Sequence, residues 1–218
     1  MMTSIELARE QMLGQQIRAW EVLDERVIAA MRSVPREQFV PEAYQDLAFA
    51  DAPIPLAHGE EMMAPKIEGR MLQALALSPE DSVLEIGTGS GFITACLASL
   101  AGSVLSLDIH DDFVIAAGPR LAALGKTAAR LQTADVFSFR PSETFDAIAL
   151  TGSLPQFDER FVDWLNPGGR LFCIVGQAPV MDARLIQKTA TGEWLEESLF
   201  ETVVPPLRNA LRPPRFQF

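Results

Sequence analysis

Residues 83–92 read Val83-Leu84-Glu85-Ile86-Gly87-Thr88-Gly89-Ser90-Gly91-Phe92, and their reading decides the fold. An aliphatic run ends in three glycines at alternate positions and opens into FITACLASLA, which is long and apolar enough for a buried helix. Strand, glycine-dense turn and helix in that order are the first βα unit of a doubly wound sheet. The glycines let backbone N–H groups approach a ligand closely, and the helix N-terminus favours negative charge. The spacing is G-x-G-x-G. The third glycine of a dinucleotide fingerprint would fall at Phe92, so that reading loses ground. Glu85, two positions before the first glycine, suits a ligand with a cationic amino-acid portion and a sulfonium. It would repel a diphosphate.

Toward the C-terminus, short aliphatic runs alternate with helical ones. VLSLDI is followed by a helix from Asp111 to Leu124, then ARLQT, FDAIAL, a helix near Gln156–Trp164, and RLFCIV. That alternation predicts βαβ units around a mostly parallel sheet with both faces covered, an α/β Rossmann-like fold. ARLIQKTA and GEWLEESLFETVV flank Thr191-Gly192 and predict a C-terminal antiparallel hairpin. Asp108 ends the second strand, where a carboxylate can accept both ribose hydroxyls, and Ile109 follows it. Asp135, with Val136, follows the third strand, in position for an adenine amino group. With the loop residues Gly87, Thr88, Gly89, Ser90 and Gly91 these form the expected cofactor set. Strand-end acids can equally cap helices.

Toward the N-terminus, residues 1–50 carry a helical pattern, with Asp24 as a helix N-cap. ADAPIPLAHGEEMMAP predicts an irregular connection into the helix PKIEGRMLQALAL. The chain thus divides into an N-terminal helical cap and acceptor-side loop over 1–65, a ligand-binding Rossmann-like domain over 66–204, and a proline- and arginine-rich extended tail over 205–218. With 218 residues and 48% hydrophobic content, one substantial domain with an embellishment is expected. A net charge of −11 argues against a nucleic-acid partner, whose affinity would rest on Lys and Arg. Cys96 and Cys173 lie in apolar runs outside any metal spacing, so they read as buried reduced thiols and no metal is expected. Glu6, Arg9 and Glu10 interrupt any signal-peptide core, and no run approaches a membrane span; a cytoplasmic protein is expected.

At these residues the chain resembles the protein-L-isoaspartate O-methyltransferase family. The similarity runs through DERVIAAMRSVPREQFVPEAYQDLAFADAPIPLAHG, DSVLEIGTGSGF, FDAIALTGSLPQ and LNPGGRLFCIVG, nearly the whole chain. The resemblance implies a class I methyltransferase fold and methyl transfer from S-adenosylmethionine to the carboxylate of an isoaspartyl residue in a protein or peptide, with S-adenosylhomocysteine as product. It implies Glu85, Gly87, Gly89, Asp108 and Asp135 as cofactor residues and Thr151 as an active-site hydroxyl. Methylating a carboxylate needs positioning rather than a general base, so a missing catalytic histidine is no obstacle.

The departures lie on the acceptor side. After His58-Gly59 the family pattern runs approximately Gln-Thr-Ile-Ser-Gln-Pro, whereas this chain has Glu60-Glu61-Met62-Met63-Ala64-Pro65. Met63 occupies the serine position and cannot donate to an acceptor carboxylate, and two glutamates would each repel it by about 1 kcal/mol at ~4 Å in water. His58 reads equally as a loop-shaping residue or a substrate contact, and His110 as a surface residue at the cofactor rim. Two alternatives stand beside the isoaspartyl reading: a same-fold methyltransferase with a different, small or less anionic acceptor, and a noncatalytic cofactor-binding homologue. Oligomeric state is not legible.

Overall fold

A computed structural model describes residues 3–213. The N-terminal cap begins with α1 (Ser4–Met12), started by a capping box in which Thr3 and Glu6 bond reciprocally, and α2 (Glu25–Ser33), where Asp24 accepts from the Arg26 N–H as expected. Between Ala50 and Pro65 the connection is not wholly irregular. Ile54–Pro55 (β1) pairs antiparallel with Glu61–Met62 (β2) around one tight turn at Ala57–Gly59, in which His58 has φ +59°. Helix α3 (Pro65–Leu75) then starts with proline at its first position, where no N–H is needed.

The remaining strands form one seven-stranded sheet: β3 (Ser82–Ile86), β4 (Ser103–Asp108), β5 (Ala129–Thr133), β6 (Phe145–Leu154), β7 (Leu165–Gln177), β8 (Val180–Lys188) and β9 (Trp194–Thr202), in spatial order β5-β4-β3-β6-β7-β8-β9. Pairings among β5, β4, β3, β6 and β7 are parallel; β8 runs antiparallel to both neighbours, giving the expected terminal hairpin. Helices α4 (Phe92–Leu100) and α5 (Asp111–Ala123) fall where the sequence placed them. The helix expected over Gln156–Trp164 shrinks to one turn, α6 (Arg160–Asp163), because the Asp158 carboxylate accepts the Arg160 N–H and starts the helix late.

Strand alternation divides the core. Val83, Ala147, Ala149 and Phe172 face the side covered by the cap and α3, in one buried cluster with Met12, Ile28 and Met71. Leu84, Ile86, Ile148, Leu150 and Cys173 face the other side with Phe161. The cap therefore shares its core with the sheet. Cys96 and Cys173 are buried free thiols, and among the described residues no helix is long and apolar enough to cross a membrane.

The tail expected to be extended from residue 205 instead packs back onto the sheet through Ala210. Ser153 donates its N–H to Pro205 O (2.9 Å) and its hydroxyl to Val204 O (2.7 Å), and accepts from the Leu207 N–H (2.9 Å). Gly152 makes room, since a Cβ there would lie 2.8 Å from Leu207. The remainder of the tail, residues 214–218, lies outside the described residues.

Candidate cofactor cleft and acceptor chamber

Chain order reverses at β3: β4 lies on one side of it and β6 on the other. Above the carboxyl ends of these strands the loops part, the usual place for a ligand in a doubly wound sheet. A solvent-open cleft of about 690 Å³ occupies this point, lined by Gly87 and Gly89, by Asp108 and Ile109, by Asp135 and Val136, and by Thr151. Seven of the expected site residues thus come together.

Asp108 is almost fully buried at the end of β4. One carboxylate oxygen accepts the Gly89 N–H (2.8 Å) and the other the His110 N–H (2.9 Å). Burial pushes its carboxyl above the usual range, and these two N–H donors pull it back. Each oxygen keeps acceptor capacity toward the cleft. Asp135 accepts from its own turn at Phe137 N (2.9 Å) and from Asn209 Nδ2 (2.9 Å). Gly87 has φ +101°, and a Cβ there would fall 2.1 Å from Thr151 Oγ1.

Thr151 explains that closeness. Its hydroxyl faces Ile86 O (2.9 Å) and Gly87 O (2.8 Å), so its single proton is committed to the glycine turn. The side chain can accept a hydrogen bond in the cleft but has no proton left to donate.

Glu85, expected against the ligand, lies elsewhere. It is fully buried beneath α4 and does not line the cleft; Thr94 donates to its Oε2 (2.5 Å), while Oε1 has no partner among the described residues. Burial pushes its carboxyl up to about 8. Gly91 (φ +88°) also stands apart: a Cβ would meet Ala117 at 2.9 Å, so it serves close packing of α4 on α5.

A smaller chamber adjoins the cleft and shares Leu56, Glu61, Gly87, Gly89 and Thr151 with it; Thr88, Ser90, Met62, Met63 and Glu68 are among the residues that line the rest of it. Met62 and Met63 are buried in the core. The Met63 carbonyl accepts from Arg36 Nη2 (3.0 Å), and fully buried Arg36 also pairs with Glu68 and donates to Ala48 O (2.9 Å). The two glutamates are not equivalent. Glu60 Oε1 accepts from Arg208 Nε (2.6 Å), which offsets its charge, while Glu61 has no hydrogen-bond or ion-pair partner among the described residues. Burial and the nearby Glu60 raise the Glu61 carboxyl.

His58 lies outside the cleft lining. Its Nε2 sits 2.9 Å from Asp112 at the start of α5, and its ring stacks on His110 at 4.0 Å, contacts that hold its turn against α5. His110 borders the cleft, its Nε2 3.5 Å from Glu60. Sequence reasoning missed Leu56, Phe113 and the segment Val204–Arg208, all of which line the cleft.

The family model described as Protein-L-isoaspartate(D-aspartate) O-methyltransferase matches residues 7–210. The chain belongs to this family. Protein-L-isoaspartate O-methyltransferase 1 of Rhodopseudomonas palustris is 40% identical over 190 residues, 87% of this chain and 77% of that protein. The protein-L-isoaspartate O-methyltransferase of Methanoculleus marisnigri is 39% identical over 175 residues, 80% of each. A solved structure described as a putative protein-L-isoaspartate O-methyltransferase from Plasmodium falciparum, in complex with S-adenosyl-L-homocysteine, superposes with a TM-score of 0.80 at 20% identity, covering 95% of this chain and 99% of that one. At that identity the likeness shows the shared fold. Within the family, then, this isoaspartyl methyltransferase homologue keeps the glycine turn and strand-end acids and presents a methionine- and glutamate-rich wall on the side facing Thr151.

Proposed function

We propose that this chain is an S-adenosylmethionine-dependent methyltransferase whose cofactor lies in the cleft above β3 and β4 and whose acceptor enters through the adjoining chamber. The arrangement of Asp108 carries the reading: a nearly buried carboxylate whose two oxygens are fixed by separate backbone N–H groups, beside a turn in which a Cβ at Gly87 cannot fit. Such a carboxylate suits a vicinal diol, and Asp135 with Val136 suits an adenine edge. The acids that line the cleft, Glu60, Glu61, Asp108 and Asp135, fit a ligand bearing cationic groups. The cofactor supplies an electrophilic methyl on a sulfonium. Gly87, Gly89, Asp108, Ile109, Asp135 and Val136 would hold it; Thr88 and Ser90 would bound its amino-acid end, and Glu85 would support the turn from below. Thr151 would fix the turn against β6, and orientation in a confined chamber supplies most of the acceleration.

For the acceptor, the names of the relatives point to the carboxylate of an isoaspartyl residue in a protein or peptide. A same-fold enzyme with a different acceptor is the second reading, favoured by Glu61 and Met63 in the chamber wall. The charge of −11 fits a non-nucleic-acid substrate. Isothermal titration with S-adenosylhomocysteine should show one site, weakened by about 1.5–3 kcal/mol in Asp108→Ala. Methyl transfer to an isoaspartyl peptide, with the matched aspartyl peptide as control, tests the acceptor. An unchanged titration for Asp108→Ala would refute the cleft, and cofactor binding without isoaspartyl turnover would favour the second reading.

A further inference from the structure

We propose that Glu61, in its protonated form, is the hydrogen-bond donor that holds the acceptor carboxylate in the chamber beside Thr151. This rests on the carboxylate acceptor proposed above and goes beyond it by assigning a specificity-determining residue. An anionic acceptor needs a donor where cleft and chamber meet, and the other polar side chain at that junction, Thr151, has none to give. The Thr151 proton faces two carbonyls of the glycine turn. Thr88 Oγ1 lies 2.6 Å from Ser106 Oγ, and Met62 and Met63 bring only thioethers. Arg208 directs its Nε to Glu60 and its Nη2 to the His58 carbonyl (2.5 Å), on the cleft side, and does not line the chamber. Glu61 alone borders both cleft and chamber with a polar side chain free of partners among the described residues.

An ionised Glu61 would expel a second carboxylate, whereas a single proton shared between the two holds them together, as in any close carboxyl pair. The surroundings favour that proton. Glu60 stands next in the loop, Asp108 lies across the cleft, and Glu68 of α3 borders the chamber with its charge met by Arg36. Arg208 and the His110 ring, which border the cleft, are turned to Glu60. Burial and Glu60 both raise the Glu61 carboxyl even without an acceptor. The proton stays between the two carboxyls and does not reach the oxygen that takes the methyl.

Because the protonated form binds, kcat/KM for an isoaspartyl peptide should be highest on the acid side and fall about tenfold per pH unit once pH exceeds the Glu61 pKa. The fall should sit in KM and in peptide affinity measured by fluorescence anisotropy. Glu61→Gln carries a permanent amide donor of the same shape. It should flatten the profile and exceed wild type at pH 8 by tenfold or more, while Glu61→Ala should be poor at every pH; thermal unfolding midpoints check that both fold. A wild-type profile that is flat or rises with pH, or a Glu61→Gln variant weaker than wild type throughout, overturns the assignment. So does a wild type that binds S-adenosylhomocysteine yet neither binds nor methylates the peptide at any pH, which leaves the cofactor cleft standing. Failure of that titration would instead remove the cofactor reading, and the inference with it.

Discussion

A Cβ at Gly87 cannot coexist with the Thr151 hydroxyl, and that conflict can be measured as a coupling energy. In Gly87→Ala the new methyl falls 2.1 Å from Thr151 Oγ1, and φ of +101° lies where an L-residue is strained. Strain of that kind costs about 1–3 kcal/mol. Driving the hydroxyl off the Ile86 and Gly87 carbonyls adds about 1 kcal/mol for the lost hydrogen bond, and residual crowding about another. The single variant should therefore lose about 3–5 kcal/mol. Thr151→Ala alone forfeits the bond, about 1 kcal/mol, and its Cβ, 3.5 Å from where a methyl on residue 87 would lie, leaves ordinary contact. The double variant keeps the strain, loses the bond once rather than twice and has no crowding, so it should fall short of the sum by about 2 kcal/mol. Urea unfolding of the four proteins measures the cycle, and S-adenosylhomocysteine titration follows the turn itself. Additive effects within about 0.5 kcal/mol would mean that Thr151 does not brace the glycine turn.

Three other outcomes can be checked. The Glu85 carboxyl, raised by burial to about 8 from 4.5, makes the native state bind that proton more tightly than the unfolded chain does. Its stabilising effect is complete below about 4.5 and is lost as pH rises through 8, by an amount on the order of several kcal/mol at most. Glu85→Gln should thus gain on wild type between pH 5 and 9 in denaturant melts, and parallel curves would contradict the buried neutral acid. Arg36→Met strands a buried Glu68 and should cost about 3–5 kcal/mol, largely recovered when Glu68→Leu is added; no recovery would show that Arg36 acts through Ala48 and Met63 instead. Arg208→Ala frees the Glu60 charge beside the chamber and should raise KM for an isoaspartyl peptide several-fold, which an unchanged KM would rule out.

The sheet and its cofactor edge were legible because local pattern determines them. The run from Val83 to Ile86, the glycines Gly87 and Gly89, and Asp108 at the end of the next strand carry their meaning in spacing alone, and each stands where spacing put it; Gly91 does not, since it serves helix packing. Glu85 was misplaced for a geometric reason. A residue two before the first glycine shares its face but sits one strand repeat deeper, roughly 6.6 Å, so α4 covers it and Thr94 becomes its partner. The tail was misread because prolines argue against a helix, not against packing: Val204 and Leu207, on either side of Pro205-Pro206, are what the cleft wall uses. Pairings such as Arg208 with Glu60 join residues 148 apart in sequence, and nothing local announces them.

Those long-range pairings change what the acceptor loop means. Taken as a string, Glu60-Glu61-Met62-Met63 offers two repelling charges and two missing donors. In the fold the four residues have separate duties. The two methionines fill the core, and the Met63 carbonyl is tied to a buried arginine that is itself tied to α3. Glu60 anchors the returning tail through Arg208, while next to it His58 fastens the turn to α5 through Asp112. A serine at 63 would leave a gap in the core that Met63 fills, and a glutamine at 60 would weaken the tail that closes the cleft, so exchanging all four residues for the family pattern would confound acceptor chemistry with packing. Glu61 pairs with Pro55 through its backbone, and its side chain alone of the polar ones here has no partner among the described residues. The chemistry that separates this chain's acceptor side from the family pattern is therefore concentrated in one carboxyl group, and its protonation state is the quantity on which acceptor choice turns.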